Sequence, residues 1–323
     1  MGFIRGGGST VGRRMASILG GVGSPPAGSG SVPAAVEGPD APAEPPGLAE
    51  EPPATGCGSP PGGISALTCE RCTEREAATF PLRLNMAFQP IFDLSTGSIF
   101  AQEALVRGPA FEPPSEVFAE VTEENRYNFD QLCRTRAIEC AAELGLDGAL
   151  SINFLPNAVY EPAHCIRRTL WAADKADFPP ENLIFEFTEG EQIRSTDHLL
   201  AIVSEYRRHG FRIAIDDFGA GFAGLGLLAD LQPDILKLDM HLIRGIESSP
   251  ARRSIVRATL RICSDLGILA VAEGIETPEE LDEVADLGVH LVQGYLIARP
   301  STGRLVQAHE ISAGITEMMR LIG

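Results

Sequence analysis

Residues 211–219, Phe211-Arg212-Ile213-Ala214-Ile215-Asp216-Asp217-Phe218-Gly219, decide how this chain is read. An apolar run of strand length ends in two adjacent carboxylates and passes straight into the glycine-rich stretch Phe218-Gly219-Ala220-Gly221. A buried strand that delivers charge onto a loop is how an α/β fold presents side chains at its mouth. Taken alone, an acidic pair after a strand also starts a turn or caps a helix. The neighbouring segments decide between the two.

Working outward, other short apolar runs end the same way. Ser98-Ile99-Phe100-Ala101-Gln102 precedes Glu103, Ala149-Leu150-Ser151-Ile152 precedes Asn153, and Asn182-Leu183-Ile184-Phe185 precedes Glu186. Asp234-Ile235-Leu236 runs into Lys237, Ile268-Leu269-Ala270-Val271-Ala272 into Glu273, and Val289-His290-Leu291-Val292 into Gln293. Between most of them lie segments with helical apolar spacing: Tyr127 to Leu144, Glu191 to His209, Arg252 to Leu266 and Pro278 to Leu287, each followed by a glycine. Thr277 stands as N-cap of the last, with Pro278 in its first turn. Met86 to Leu94, the turn Ser95-Thr96-Gly97, and the run from Ser98 make the first two strands an antiparallel hairpin. Strand and helix alternation over about 240 residues predicts an α/β fold, a TIM-like (β/α)8 barrel with an antiparallel first strand. An open doubly wound sheet is the alternative, but its glycine fingerprint after the first strand is missing.

Composition sets the frame. The 323 residues are 44% apolar, enough for one large domain plus a tail, and no apolar stretch reaches the roughly 18 residues of a membrane span. A net charge of -18 argues against a nucleic-acid duplex as partner, and leaves room for an anionic substrate only where cations intervene. Residues 1–65 hold 11 of the 24 prolines and few large apolar side chains, the composition of a disordered Pro/Gly/Ala-rich tail. Arg13-Arg14 before Met15-Ala16-Ser17-Ile18-Leu19 is a poor export signal, short and glycine-broken, so a cytoplasmic location is expected. Residues 66–80 form a cysteine-containing linker, and residues 81–323 the barrel.

The seven cysteines, Cys57, Cys69, Cys72, Cys133, Cys140, Cys165 and Cys263, form no closely spaced disulfide framework. Cys69-Glu70-Arg71-Cys72 has the spacing of a metal half-site or redox pair, with no second half-site to complete it. They are read as unremarkable thiols.

In a barrel, side chains at the C-terminal strand ends line one pocket. Glu103, Asn153, Glu186, Asp216, Asp217 and Glu273 then converge although far apart in sequence. Five carboxylates cannot all stay ionised without counter-cations. All-oxygen ligands and the absence of histidine favour Mg2+ or Mn2+ over zinc. Two ions fit better than one, because one of two consecutive aspartates can bridge while its neighbour holds the second. Lys237 adds a cation able to orient a water or hold a phosphate oxygen. Arg107 offers a planar fork for phosphate.

These residues carry a family resemblance. Glu103-Ala104-Leu105-Val106-Arg107 resembles the signature of the EAL-domain cyclic-di-GMP phosphodiesterases. The likeness extends through Gln89-Pro90-Ile91, Ser151-Ile152-Asn153, Glu186-Phe187-Thr188-Glu189, Asp216-Asp217-Phe218-Gly219, Leu236-Lys237-Leu238-Asp239, Ala272-Glu273-Gly274-Ile275-Glu276 and Gln293-Gly294-Tyr295 with Pro300. The resemblance implies hydrolysis of cyclic di-GMP to linear pGpG. It implies that Glu103, Asn153, Glu186 and Asp216 hold the first ion, with Asp216 bridging to a second at Asp217 and Glu273. It further implies that Lys237 positions or helps activate the water, that Glu276 and Gln293 support the water and substrate side, and that Glu189 orders the loop after Asp217. Arg107, Gln89 and Asp239 are the expected substrate contacts.

One stretch departs from the pattern. Many active relatives carry Thr-Gly-Tyr-Ser-Ser-Leu after the aspartate pair; here the loop reads Ala220-Gly221-Phe222-Ala223-Gly224-Leu225. Four hydroxyls are lost, in a loop that the family uses to link metal binding to dimer contacts. A homodimer is expected, with regulation through the tail or a separate sensory protein. A non-hydrolysing cyclic-di-GMP receptor, or a protein-binding antirepressor on the same barrel, is the alternative function.

Overall fold

The computed structural model describes residues 79–188, 195–221 and 224–322. The tail, almost all of the linker, Cys57, Cys69, Cys72 and Glu189 lie outside the described residues, as do Phe222 and Ala223 of the departing loop.

Nine strands form one sheet: β1 (Asn85–Asp93), β2 (Ser98–Arg107), β3 (Ala149–Asn153), β4 (Leu183–Thr188), β5 (Arg212–Phe218), β6 (Ile235–Leu238), β7 (Leu269–Ala272), β8 (Leu291–Val292) and the short β9 (Ser301–Thr302). Their order runs β2 to β8 consecutively, then β1, and β1 pairs back onto β2, so eight strands close into a barrel while β9 adds to β1. Pairs from β2–β3 through β7–β8 are parallel, and β1 is antiparallel to β2, β8 and β9. The expected barrel with its antiparallel first strand is the observed one, enlarged by β9.

The helices are α1 (Pro114–Ala119), α2 (Arg126–Glu143), α3 (Pro162–Cys165), α4 (Arg167–Lys175), α5 (Thr196–Arg208), α6 (Gly224–Leu231), α7 (Met240–Ile243), α8 (Pro250–Leu266), α9 (Pro278–Leu287) and α10 (Ala308–Ile322). Local chemistry fixes several ends. In α9, the Thr277 hydroxyl accepts from Glu280 N and the Glu280 carboxylate reaches back to the N-cap, with Pro278 in the first turn and Gly288 closing the helix at φ 101°. α5 begins at Thr196, where the Ser195 side chain caps it by accepting from His198 N; Glu191, the expected start, lies outside the described residues. Likewise α8 begins at Pro250, two residues before Arg252, where Ser249 is the N-cap.

Strand pleating sorts the core into two parts. One side chain per strand, Ile91, Ala101, Ala149, Ile184, Ala214, Ile235, Val271 and Leu291, forms a single apolar cluster. Outward-facing residues such as Phe88, Phe92, Ala104, Ile152, Phe185, Ile215 and Leu236 join the larger core beneath the helices. The cysteines Cys165 and Cys263 are buried and Cys133 and Cys140 half-buried, none of the four in a disulfide among the described residues, and burial pushes the Cys263 thiol up to about 11.

Candidate metal centre

Two residues beyond each member of the eight-residue apolar cluster the same face of the strand appears again. Six of these positions carry polar side chains buried to 8% exposure or less: Glu103, Ser151, Glu186, Asp216, Lys237 and Gln293, while Glu273 is half-buried. Counting back two from Ile91 on the antiparallel strand gives buried Gln89. One polar tier therefore sits above one apolar tier. Period-two alternation brings these residues together, and closure of the barrel makes the tier a ring.

Lys237 is the hub of the ring. Its Nζ lies 2.8 Å from Glu273 Oε1, 3.1 Å from Asp216 Oδ1, 3.3 Å from Glu186 Oε2 and 3.4 Å from Glu103 Oε2. Burial works against its charge, but these four carboxylates hold its pKa well above the ordinary lysine value. Burial also opposes the charge of Glu103, yet Lys237 and the hydrogen bonds it receives hold that carboxyl below its usual value. For Glu186 and Glu273, burial together with the neighbouring acids outweighs Lys237 and pushes both well up.

Amides and a hydroxyl orient the acids. Asn153 Nδ2 donates to Glu103 Oε1 and Glu186 Oε1, each at 3.1 Å, and Ser151 Oγ donates to Glu186 Oε2 at 2.7 Å. Gln293 Nε2 donates to Glu103 Oε2 at 2.6 Å and to Gln89 Oε1 at 3.3 Å, while Gln89 Nε2 donates to Ala298 O at 3.0 Å.

Two consecutive aspartates on a regular strand would face opposite sides of the sheet. Asp217 escapes this by adopting φ 55°, a left-handed conformation that aspartate tolerates better than most residues. The β5–β6 register shifts at the same place, between Ile215 and Phe218. Burial, with the charges of Asp216 and Asp239, pushes the Asp217 carboxyl up to about 6. Ligand atoms of Glu103, Glu186 and Asp216 lie within 4.8 Å of one another, and so do those of Asp216, Asp217 and Glu273. Asp216 belongs to both clusters.

The donor set fits hard divalent cations. Every candidate ligand atom is a carboxylate oxygen, five acids face one ammonium, and among the described residues no histidine enters either cluster and the buried Gln293 Oε1 has no hydrogen-bond partner. The buried triad Glu103, Glu186 and Asp216 matches a site for Mg2+ or Mn2+.

The other expected site residues stand around this centre. Arg107, at the end of β2, is half-buried and donates to Val106 O at 2.8 Å. Asp239 is buried and caps α7, accepting from His241 N at 2.8 Å. Glu276 is exposed and pairs with Arg244 at 2.8 Å, on the loop after Glu273 and outside the ring. Ser151, two positions before Asn153 and on the same strand face, joins the ring without being marked by charge in the sequence; period-two alternation is the signal that finds it. A cavity of about 440 Å³ runs from Glu103, Asn153, Asp216 and Asp217 to an apolar wall that includes Pro114, Phe118 and Phe129. A ligand with a charged group at one end and a flat apolar group at the other suits such a space.

A closed α/β barrel with an acidic divalent-cation centre at the C-terminal rim of its strands defines the class of protein. Within that class, the chain belongs to the EAL domain family, whose profile matches residues 81–300. A standalone versatile EAL protein from Vibrio cholerae O395, solved in its c-di-GMP-bound form, is 49% identical with a TM-score of 0.69, covering 71% of this chain and 97% of that one. The blue light- and temperature-regulated antirepressor BluF of Escherichia coli is 33% identical over 67% of this chain and 54% of its own length. The cyclic di-GMP phosphodiesterase PA2567 of Pseudomonas aeruginosa is 32% identical over 67% of this chain and 38% of its own length. The chain thus spans about half the length of these two curated relatives or less.

Proposed function

We propose that this chain is a Mg2+- or Mn2+-dependent phosphodiesterase that hydrolyses cyclic di-GMP to linear pGpG. The observation that carries the reading is Asp216, shared between two three-carboxylate clusters in a barrel whose relatives include a c-di-GMP-bound protein and a cyclic di-GMP phosphodiesterase. Glu103, Asn153, Glu186 and Asp216 would hold one ion, and Asp216, Asp217 and Glu273 the other. A bound pair of ions supplies charge neutralisation at the phosphate and a more acidic attacking water.

The chain's own residues do the rest. Lys237, kept charged by the acids around it, acts as a donor that orients the attacking water. Gln293 fixes Glu103 through Nε2 and offers Oε1 to the water or substrate. Arg107 grips a phosphate oxygen. Gln89 and Asp239, whose polar atoms are engaged inside the protein, serve the substrate side through Gln293 and Asp217. Glu276 supports the same side from the Arg244 pair, and Glu189 orders the loop after Asp217. Homodimerisation through that loop, a cytoplasmic location and control by a separate sensory protein belong to the same proposal.

The test is incubation of the purified chain with cyclic di-GMP and Mn2+, with chromatography of the products. Accumulation of pGpG that stops on adding chelator is expected; bound but unchanged cyclic di-GMP overturns the reading in favour of a receptor. That second reading, a binding protein on the same barrel, draws on the likeness to an antirepressor and on the loop that lacks the usual hydroxyls. A protein partner whose capture is insensitive to Glu103→Ala and Asp216→Ala would support it.

A further inference from the structure

Glu280 lies on α9, outside the acid ring, yet it is 2% exposed and carries more hydrogen bonds than a helix cap needs. Within its own turn the carboxylate accepts from Thr277 N at 3.2 Å and Glu276 N at 2.9 Å. Across 35 residues of sequence it accepts from Gly245 N at 3.1 Å, and Arg244 Nη1 lies 3.3 Å from both of its oxygens. One carboxylate thereby ties the loop after β7, which carries Glu273, to the segment that begins at Asp239 directly after β6, the strand that carries Lys237.

The two segments are packed without slack. A Cβ on Gly274 would stand 2.4 Å from Met240 Cβ, so the residue after Glu273 abuts the first residue of α7. Glu273 N donates to Leu238 O at 3.1 Å, and Ile275 N donates to Gln293 O at 3.1 Å. A Cβ on Gly294 would stand 2.2 Å from Ile275 O. A shift of residues 244–245 or 276–277 therefore bears on Glu273 and Gln293 through these close contacts, and on Lys237 through its neighbour Leu238.

We propose that Glu280 is a positioning residue for the metal centre: its buried carboxylate locks the post-β6 and post-β7 segments together and so sets where Glu273 stands relative to Asp216 and Lys237. The inference rests on the functional reading above. Partners behind a ligand that orient it commonly govern metal affinity by tenfold or more.

The test compares wild type, Glu280→Ala, Glu280→Gln and Thr277→Ala, reading the Mn2+ concentration that half-saturates the rise in melting temperature alongside the rate of pGpG formation. Thr277→Ala removes the hydroxyl that accepts from Glu280 N but leaves the Glu280 carboxylate and its partners, so it weakens the helix start alone. Glu280→Ala is expected to raise the half-saturating Mn2+ about tenfold and lower the rate, Glu280→Gln to recover part of both, and Thr277→Ala to leave the Mn2+ requirement unchanged. A wild-type Mn2+ requirement in either Glu280 variant, or an equal rise in Thr277→Ala, overturns the inference while leaving the functional reading intact. A wild type that shows neither Mn2+ stabilisation nor turnover overturns the functional reading, and the inference with it. Should Glu280→Ala not fold, Glu280→Gln against Thr277→Ala carries the comparison.

Discussion

Lys237 Nζ stands 2.8 Å from Glu273 Oε1, the shortest of four contacts that a single buried ammonium makes with carboxylates in three other strands and directly after a fourth. The lysine is the fixed cation of a ring built to take more positive charge. Replacing it with methionine keeps an unbranched side chain, one atom shorter, and removes the charge. Lys237→Met is expected to lower stability by about 3–5 kcal/mol, since it strands buried acids, and to cut turnover about 100-fold or more through loss of the water's donor. Urea unfolding and the pGpG assay check the two effects. A variant with wild-type turnover would show that Lys237 only balances charge.

Divalent cations should stabilise the fold itself. At a concentration 100 times Kd, a ligand specific for the native state contributes about 2.7 kcal/mol, which for a domain of this size is a rise of roughly 5–10 °C in Tm. Differential scanning fluorimetry with Mn2+ and Mg2+ should find this rise, and Glu186→Gln should reduce it. Absence of any shift at millimolar Mn2+ would count against the metal assignment.

Away from the site, Arg134 is fully buried. Its Nη2 lies 2.7 Å from Asp130 Oδ2, its Nη1 donates to the Tyr206 hydroxyl, and its guanidinium sits 5.2 Å from the Phe154 ring centroid and 5.4 Å from that of Phe185. Asp130 Oδ1 in turn accepts from Leu155 N at 2.9 Å, on the loop that follows Asn153. Arg134→Ala leaves a buried carboxylate without its counter-ion and should cost about 3–5 kcal/mol in urea unfolding. A loss below about 1 kcal/mol would contradict the account of this cluster as a buried ion pair.

The same cluster predicts a pH dependence. Burial, opposed by the charge of Arg134, pushes the Tyr206 hydroxyl up from 10.0 to about 12. Its folded pKa exceeds its unfolded one, so the contribution to stability is complete below pH 10 and is lost as pH rises towards 12. Absorbance at the phenolate band should find Tyr206 titrating late in the native protein, and Tyr206→Phe should remove that late step. If all four tyrosines titrate together near pH 10, the burial argument fails.

Much of this architecture was legible in the chain. Asp216, Glu186 and Glu273 each follow an apolar run, and strand-end convergence in a barrel requires them to meet. What one-dimensional reading could not supply is the phase of each strand. Ser151 lies on the same face as Asn153, but a serine inside an apolar run carries no charge to mark it. Glu276 lies three residues after Glu273 but points out to Arg244, a direction set by the loop and not by spacing. The role of Glu280 depends on Gly245 and Arg244, which are 35 and 36 residues away in sequence. Nor does sequence alone reveal that Asp217 must turn to φ 55° for both aspartates to share one site.

The central claim is that Asp216 is shared between two cation positions in a hydrolase. It is tested most directly by measuring cyclic-di-GMP binding and pGpG formation for wild type and Asp216→Asn in saturating Mn2+. The account predicts that the variant still binds cyclic di-GMP while turnover falls by about 1,000-fold or more, because one substitution weakens both ion positions. Near-wild-type turnover by Asp216→Asn would contradict it.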